Sequence, residues 1–263
     1  MTFWADHFTV STKNRRDRPL PSALAEDAIR PHVNGRFADM LKAVTLHPAM
    51  LIYLNQNLSI GPGSPQGQRS GKGLNENLAR EVIELHTLGA GSPYSQDDVR
   101  QMAELLTGLT VDTTEGFLFR QNWAEPGAEM VLGESFDGRG TAPILEALDL
   151  LADRPETAAH LSRKIAVHFL SDDPDPEVVA VLTRAWLDSG GDLSAVYAAL
   201  LRHPAAWVPQ AYKARQPFEF LAAALRGLGV TGAAVMAMED RDFRRAVTQP
   251  MLAMGQPWQA APG

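Results

Sequence analysis

Apolar residues recur along most of this chain at intervals of three and four, the spacing that gathers them on one side of an α-helix. Between Gly35 and Leu46, the residues Phe37, Met40, Leu41 and Val44 make such a face, and Pro48 interrupts it. A further apolar turn runs on to Tyr53. The same reading predicts a helix from Ser22, a capping residue, to Arg30, with Pro31 as its stop. Leu74 to Leu88 reads as a helix ended by Gly89, and Ser95 with Asp98 forms a capping pair that opens another helix running to Gly108. Helical periods return over Ala142–Ala152, Pro155–Leu170, Pro176–Asp188, Leu193–Arg202 and Phe218–Leu228, with Gly190-Gly191 as a stop and Asp192 as a cap.

Two stretches break the pattern. Residues 59–73 are rich in glycine, proline and serine, a composition that buries little apolar surface and predicts a surface loop or flexible linker. Residues 117–136 place Phe-Leu-Phe and Met-Val-Leu on either side of Pro126-Gly127, which predicts a small two-stranded excursion. The expected fold is therefore all-α: packed, mostly antiparallel helices with a two-stranded β excursion near 117–136. We expect a single helical domain over 1–263, with lobes at about 1–110 and 140–263 joined by 111–139 as its natural subdivision. Gly35 to Ala49 also aligns without gaps on Gly191 to Ala205, both ending His-Pro-Ala. Two related lobes would produce this echo, but so would any two amphipathic helices stopped by proline, and the second reading is the expectation.

Composition narrows the function. A formal charge of −7 argues against nucleic acid as a partner, because a phosphate backbone needs a basic face. The basic run Lys13 to Arg18 is read as a solvated turn rather than an anion-binding arm. With no cysteine, disulfides, thiolate catalysis and cysteine-ligated metal are excluded. No apolar run approaches the roughly 18 residues that span a bilayer, so no membrane insertion is expected. The first residues lack signal-peptide order.

The densest polar signal is Asn75 to His86. At helical spacing, Glu76, Arg80 and Glu84 form one stripe with Asn77 and Glu81 beside it, while Leu78, Val82 and Leu85 point the other way. An exposed stripe would be a solvated face whose ion pairs each contribute about 0.3–0.5 kcal/mol. Roofed by other segments, three carboxylates around one guanidinium would raise at least one carboxyl pKa toward the range of a general acid. The candidate catalytic residues are thus Glu76, Glu81, Glu84 and Arg80, with Asn75, Asn77, His86, His7 and His32 as candidate binding residues. No metal and no cofactor is expected: His-Glu-x-x-His, paired Glu-x-x-His and the dinucleotide, P-loop and esterase motifs are all missing from suitable contexts.

Gly73-Leu-Asn-Glu-Asn-Leu-Ala-Arg-Glu-Val-Ile-Glu-Leu-His-Thr-Leu-Gly89, with Tyr94 to Val99 and Leu106-Thr-Gly108, resembles the bacterial family called domain of unknown function 1800. The likeness extends back through Ile29 to Phe37 and His47 to Leu51, and forward through Arg163-Lys164, His168-Phe169, Gly191-Asp192 and Gly255-Gln256-Pro257. It implies an exported or periplasmic location and supplies no reaction or catalytic assignment. Family members tend to carry Trp-His-Asn-His-Phe where this chain has Trp4-Ala5-Asp6-His7-Phe8, an aspartate near Asn55 and a tryptophan at Leu109; the departures fit a shortened or inactive member. The functional expectation is a ligand-binding or hydrolytic site for an unidentified small molecule on the 74–88 helix. The alternatives are a non-catalytic assembly module with a protein partner, or an inactive relative.

Overall fold

The computed structural model describes residues 1–11, 19–71, 73–112, 114, 116–208 and 213–256. The basic run at 13–18 and Pro257-Trp258 lie outside them. The described chain is mostly helical, with small antiparallel β additions. Most of its buried apolar residues form one contiguous cluster that runs from Phe3 to Leu200.

Short helix α1 (Thr2–His7) drives Phe3, Trp4 and His7 into that cluster. The Trp4 Nε1–H donates to the Tyr197 hydroxyl at 2.6 Å, and that hydroxyl donates to the Val33 carbonyl at 3.0 Å. A buried indole N–H thus has the partner it requires. Helix α2 (Leu20–Ala23) runs into a π-helical stretch, Leu24–Ile29, and a 3-10 turn, Arg30–His32. Helices α3 (Phe37–Thr45) and α4 (Pro48–Tyr53) follow, with Phe37, Met40, Leu41 and Val44 all buried.

The two echoing segments meet in space. Arg36 and Asp192 form an antiparallel bridge, with the Phe37 N–H on the Gly191 carbonyl at 2.9 Å and the Leu193 N–H on the Gly35 carbonyl at 3.0 Å. Each segment then ends in a histidine whose Nδ1 accepts an N–H from the residue after the proline: Ala49 for His47, Ala205 for His203. The shared His-Pro-Ala is therefore a repeated capping device.

The glycine-rich stretch contains helix α5 (Pro65–Ser70), capped by buried Ser64, whose hydroxyl accepts from the Gly67 N–H at 3.0 Å and donates to the Gly61 carbonyl at 2.6 Å. Glu125 clamps the approach, with both carboxylate oxygens within 3.0 Å of the Gly63 nitrogen. A Cβ on Gly61 would fall 2.6 Å from the Glu125 backbone nitrogen. Glycine there permits close approach of two backbones, a use of glycine that composition does not separate from a flexible linker.

Helix α6 (Asn77–Arg80) continues as a second π-helical stretch, Glu81–Thr87, before α7 (Gln96–Leu105) with its capping box at Ser95 and Asp98. The β excursion comprises two hairpins. β1 (Leu109–Asp112) pairs with β2 (Gly116–Phe119), and β3 (Glu129–Val131) pairs with β4 (Glu134–Phe136). Phe117 to Phe119 thus pair upstream with Leu109 to Val111, and Met130-Val131 pair with Glu134-Ser135, rather than with each other. Helices α8 (Ala142–Asp153), α9 (Pro155–Phe169), α10 (Pro176–Ser189) and α11 (Leu193–Arg202) pack in sequence. A 3-10 turn at Pro204–Trp207 leads to α12 (Pro217–Gly227), α13 (Gly232–Met236), α14 (Asp240–Phe243) and α15 (Gln249–Ala253). No described helix is long and apolar enough to cross a membrane.

Candidate functional site

The π-helical stretch decides which side chains of the polar helix face inward. A π turn takes more residues than an α turn, so each later residue lands behind its α-helical position. Leu78 and Val82 are buried as expected, but Leu85 is 48% exposed, and Ile83, His86 and Thr87 turn inward. The Thr87 hydroxyl satisfies the Val82 carbonyl at 2.6 Å.

On the outer face, Arg80 collects the stripe. Its guanidinium contacts Glu76 at 2.9 Å, Glu84 at 3.3 Å and the Gln96 amide oxygen at 2.7 Å, while Gln96 returns a hydrogen bond to Glu76 at 3.1 Å. These groups are partly exposed. Glu81 is half-buried, and burial followed by the Glu84 charge raises its pKa. Asn75 serves the backbone: its side chain accepts from the Asn77 N–H and donates to the Leu54 and Asn55 carbonyls. Asn77 is exposed.

His7 and His86 come together. The His7 Nε2 lies 3.2 Å from the His86 carbonyl, and since a carbonyl only accepts, the hydrogen sits on Nε2. The His7 Nδ1 lone pair is therefore free to accept, and the Lys164 Nζ stands 2.8 Å from it. Phe3 and Phe8 fix the His7 ring, with centroids 6.2 and 4.5 Å away. His160, Lys164 and His168 follow one another at four-residue steps along α9, and all three line a cleft of about 400 Å³ with Asp6, His7 and Arg163. Lys213 and Gln216 close it from the segment before α12. Glu76, Arg80, Glu81, Glu84 and His32 do not line this cleft. His32 sits in the 3-10 turn after α2.

Burial governs the cleft's electrostatics. His7 is held well below the ordinary imidazole range by desolvation, then by the Lys164 charge. His86 is pushed down to about 3 by the same two causes in the same order, and its Nδ1 is buried with no partner among the described residues. His160 bonds the Leu85 carbonyl, and its Nε2 is likewise buried and unpartnered. Lys164 is lowered by burial, with no carboxylate offsetting it. Burial first and then Glu219 raise Asp6; burial lowers His168, against which the 3.8 Å approach of Glu219 acts. Lys213 is ion-paired with Asp172. Arg163 is exposed and makes no hydrogen bond or ion pair among the described residues. No group of three or more histidine or carboxylate side chains among the described residues is disposed to hold a metal ion.

The family model described as "Protein of unknown function (DUF1800)" matches residues 1–263. The chain belongs to the DUF1800 family. No curated protein and no solved structure matches it. Of the residues lining the cleft of this DUF1800 member, sequence reasoning offered His7 alone as a site candidate; His160, Lys164 and His168 on α9 were not among the candidates. Their signal is present: histidine, lysine and histidine at four-residue steps on a helix whose period was already legible. The missing information was that α1 and the π-helical turn at His86 would pack against that stripe.

Proposed function

We propose that the cleft between α1 and α9 binds a small anionic molecule. The observation that carries this reading is the half-buried Lys164 ammonium, whose hydrogen-bond partner is a neutral imidazole and not a carboxylate. A cation withdrawn from water without a counter-charge is destabilised, and an incoming anion would relieve that cost. Arg163 at the rim adds a planar, fully charged donor suited to carboxylate or phosphate. The lining carries Arg163 and Lys164 against one carboxylate, Asp6, with Lys213 balanced by Asp172, in a chain of net charge −7, so the positive character is local. Calorimetric titration with lactate or inorganic phosphate tests it. Saturable binding that falls at least tenfold, roughly 1.4 kcal/mol, in Arg163→Ala supports the reading. Equal, non-saturating heats for both proteins overturn it.

A second reading places an acid on the outer face of the polar helix. Glu81 favours it: the carboxyl is raised by its half-burial and then by Glu84, and forms no hydrogen bond among the described residues. Glu76, Glu84 and Arg80 would then orient a ligand, with Asn77 at its edge. Glu81→Gln and Glu84→Gln would each abolish binding to that face while leaving the α1–α9 cleft unaffected. Assembly with a protein partner draws on exposed Phe220, Leu228 and Met236 around α12 and α13. We prefer the small molecule, because the cleft joins concavity to uncompensated charge.

A further inference from the structure

Lys164 differs from the other described lysines in chemistry as well as position. Lys42 is paired with Asp149 and Lys213 with Asp172. Lys164 has no carboxylate and is set against a lone pair. The orientation of that lone pair is fixed, because the His7 Nε2–H is committed to the His86 carbonyl and the ring is clamped between Phe3 and Phe8. Burial favours the uncharged amine, and an uncharged amine in a solvent-reachable cleft is a nucleophile. The neighbouring cation is Arg163, one residue away on α9 and free of partners among the described residues. A ligand that satisfies both must carry an electrophilic carbon within a bond or two of an anionic group.

We propose that Lys164 forms an imine with a small 2-oxo carboxylate, whose carboxylate is held by Arg163 while the His7 Nδ1 orients the amine. This rests on the reading of the cleft as an anion site. The Lys164 ammonium, destabilised by burial, gives a proton to water in the open cleft, and the freed amine, one N–H held on the His7 Nδ1, attacks the oxo carbon. A carbon–nitrogen bond forms as the carbonyl π pair moves onto oxygen, which receives a proton from the attacking nitrogen. Water returns the proton to that hydroxyl, which leaves as water while the nitrogen lone pair closes the C=N bond. One ammonium and one ketone give one protonated imine and one water, and His7 stays neutral throughout. The cleft, at about 400 Å³, admits a ligand of this size.

The test uses the whole chain, pyruvate and sodium cyanoborohydride, followed by peptide mass mapping of its five lysines. Reductive trapping is expected at Lys164 first, its free-amine fraction rising roughly tenfold for each unit by which burial lowers its pKa below the ordinary lysine value. In His7→Gln the labelling rate at Lys164 should fall while that at Lys42 and Lys213 holds, and the pH profile of Lys164 should stay in place because burial sets it; a variant that merely opened the cleft would move that profile. Labelling spread evenly over the exposed lysines, or none at Lys164, overturns the imine. Lactate, which has the carboxylate but no ketone, separates the two ideas. If lactate binds and pyruvate is not trapped, the anion site stands and the imine falls; if neither binds, both fall. The wild-type peptide map carries the result even where a variant fails to fold.

Discussion

The Nδ1 of His7 and the Nζ of Lys164 stand 2.8 Å apart although 157 residues separate them in the chain. The contact joins the first helix to the middle of α9, and its two members have different structural weight. The His7 N–H satisfies a carbonyl at the end of a helix, where unmet acceptors cost free energy. Lys164 satisfies nothing that water could not.

Lys164→Met is therefore expected to leave stability within about 1 kcal/mol of wild type, because the aliphatic stem still packs and a poorly solvated charge is removed. The same variant should lose at least tenfold in anion affinity. His7→Phe should instead lower stability by about 1–3 kcal/mol, since the His86 carbonyl loses its donor inside the core. Urea denaturation of both variants checks the contrast.

Acid should unfold the protein through its histidines. The native pKa values of His7, His86 and His160 are all lowered from 6.5, so below that pH the unfolded chain binds more protons than the native one. Stability from these groups is fully present above pH 6.5 and is lost progressively as pH falls below it. Thermal midpoints read from pH 7.5 down to 5 should decline, and the decline should be shallower in His86→Phe.

Glu129 works in the opposite direction. It is 6% exposed on β3, and its carboxyl is pushed up to about 7 by burial, then by Glu104 on α7, then by Glu125 in the preceding loop. Arg100, also on α7, is bonded to Glu104 at 3.2 Å. Because the native pKa lies above the unfolded 4.5, the native state binds the extra proton between those values, and this stability is lost as pH rises through about 7. Glu129→Gln, a neutral replacement, should be more stable than wild type at pH 8 by about 1–2 kcal/mol and show little difference at pH 5. Paired melting curves at the two pH values decide it.

The π-helical register can be read by truncation. Ile83 is fully buried, so Ile83→Ala should cost about 2–5 kcal/mol, whereas Leu85→Ala, on the exposed side, should cost less than about 1 kcal/mol. A regular α-helix, with Leu85 inward, would reverse that order. Chemical denaturation measures both.

Much of the helical body was legible because its signals are local. The apolar face of α3, the Ser95–Asp98 capping box and the Gly190 stop each lie within a few residues of what they control. The β excursion was placed correctly but its pairing was not, since the partner of Phe117 to Phe119 lies upstream at Leu109–Asp112. Helix α5 was hidden by composition: its order comes from the Ser64 cap and from Glu125, more than sixty positions away. The polar stripe and its Arg80 pairs follow from spacing alone. The cleft does not, because it depends on a π turn that carries His86 inward and on the packing of α1 against α9. Short-range periodicity contains neither.

Lysine side-chain NMR on protein carrying carbon-13 at the lysine Cε tests the central claim most directly. One of the five lysines, assigned to Lys164 by its absence in Lys164→Met, should titrate below the ordinary lysine range, and saturating lactate should raise its pKa by supplying the missing counter-charge. Five lysines titrating together in the ordinary range, unmoved by lactate, would contradict an anion site built on Lys164.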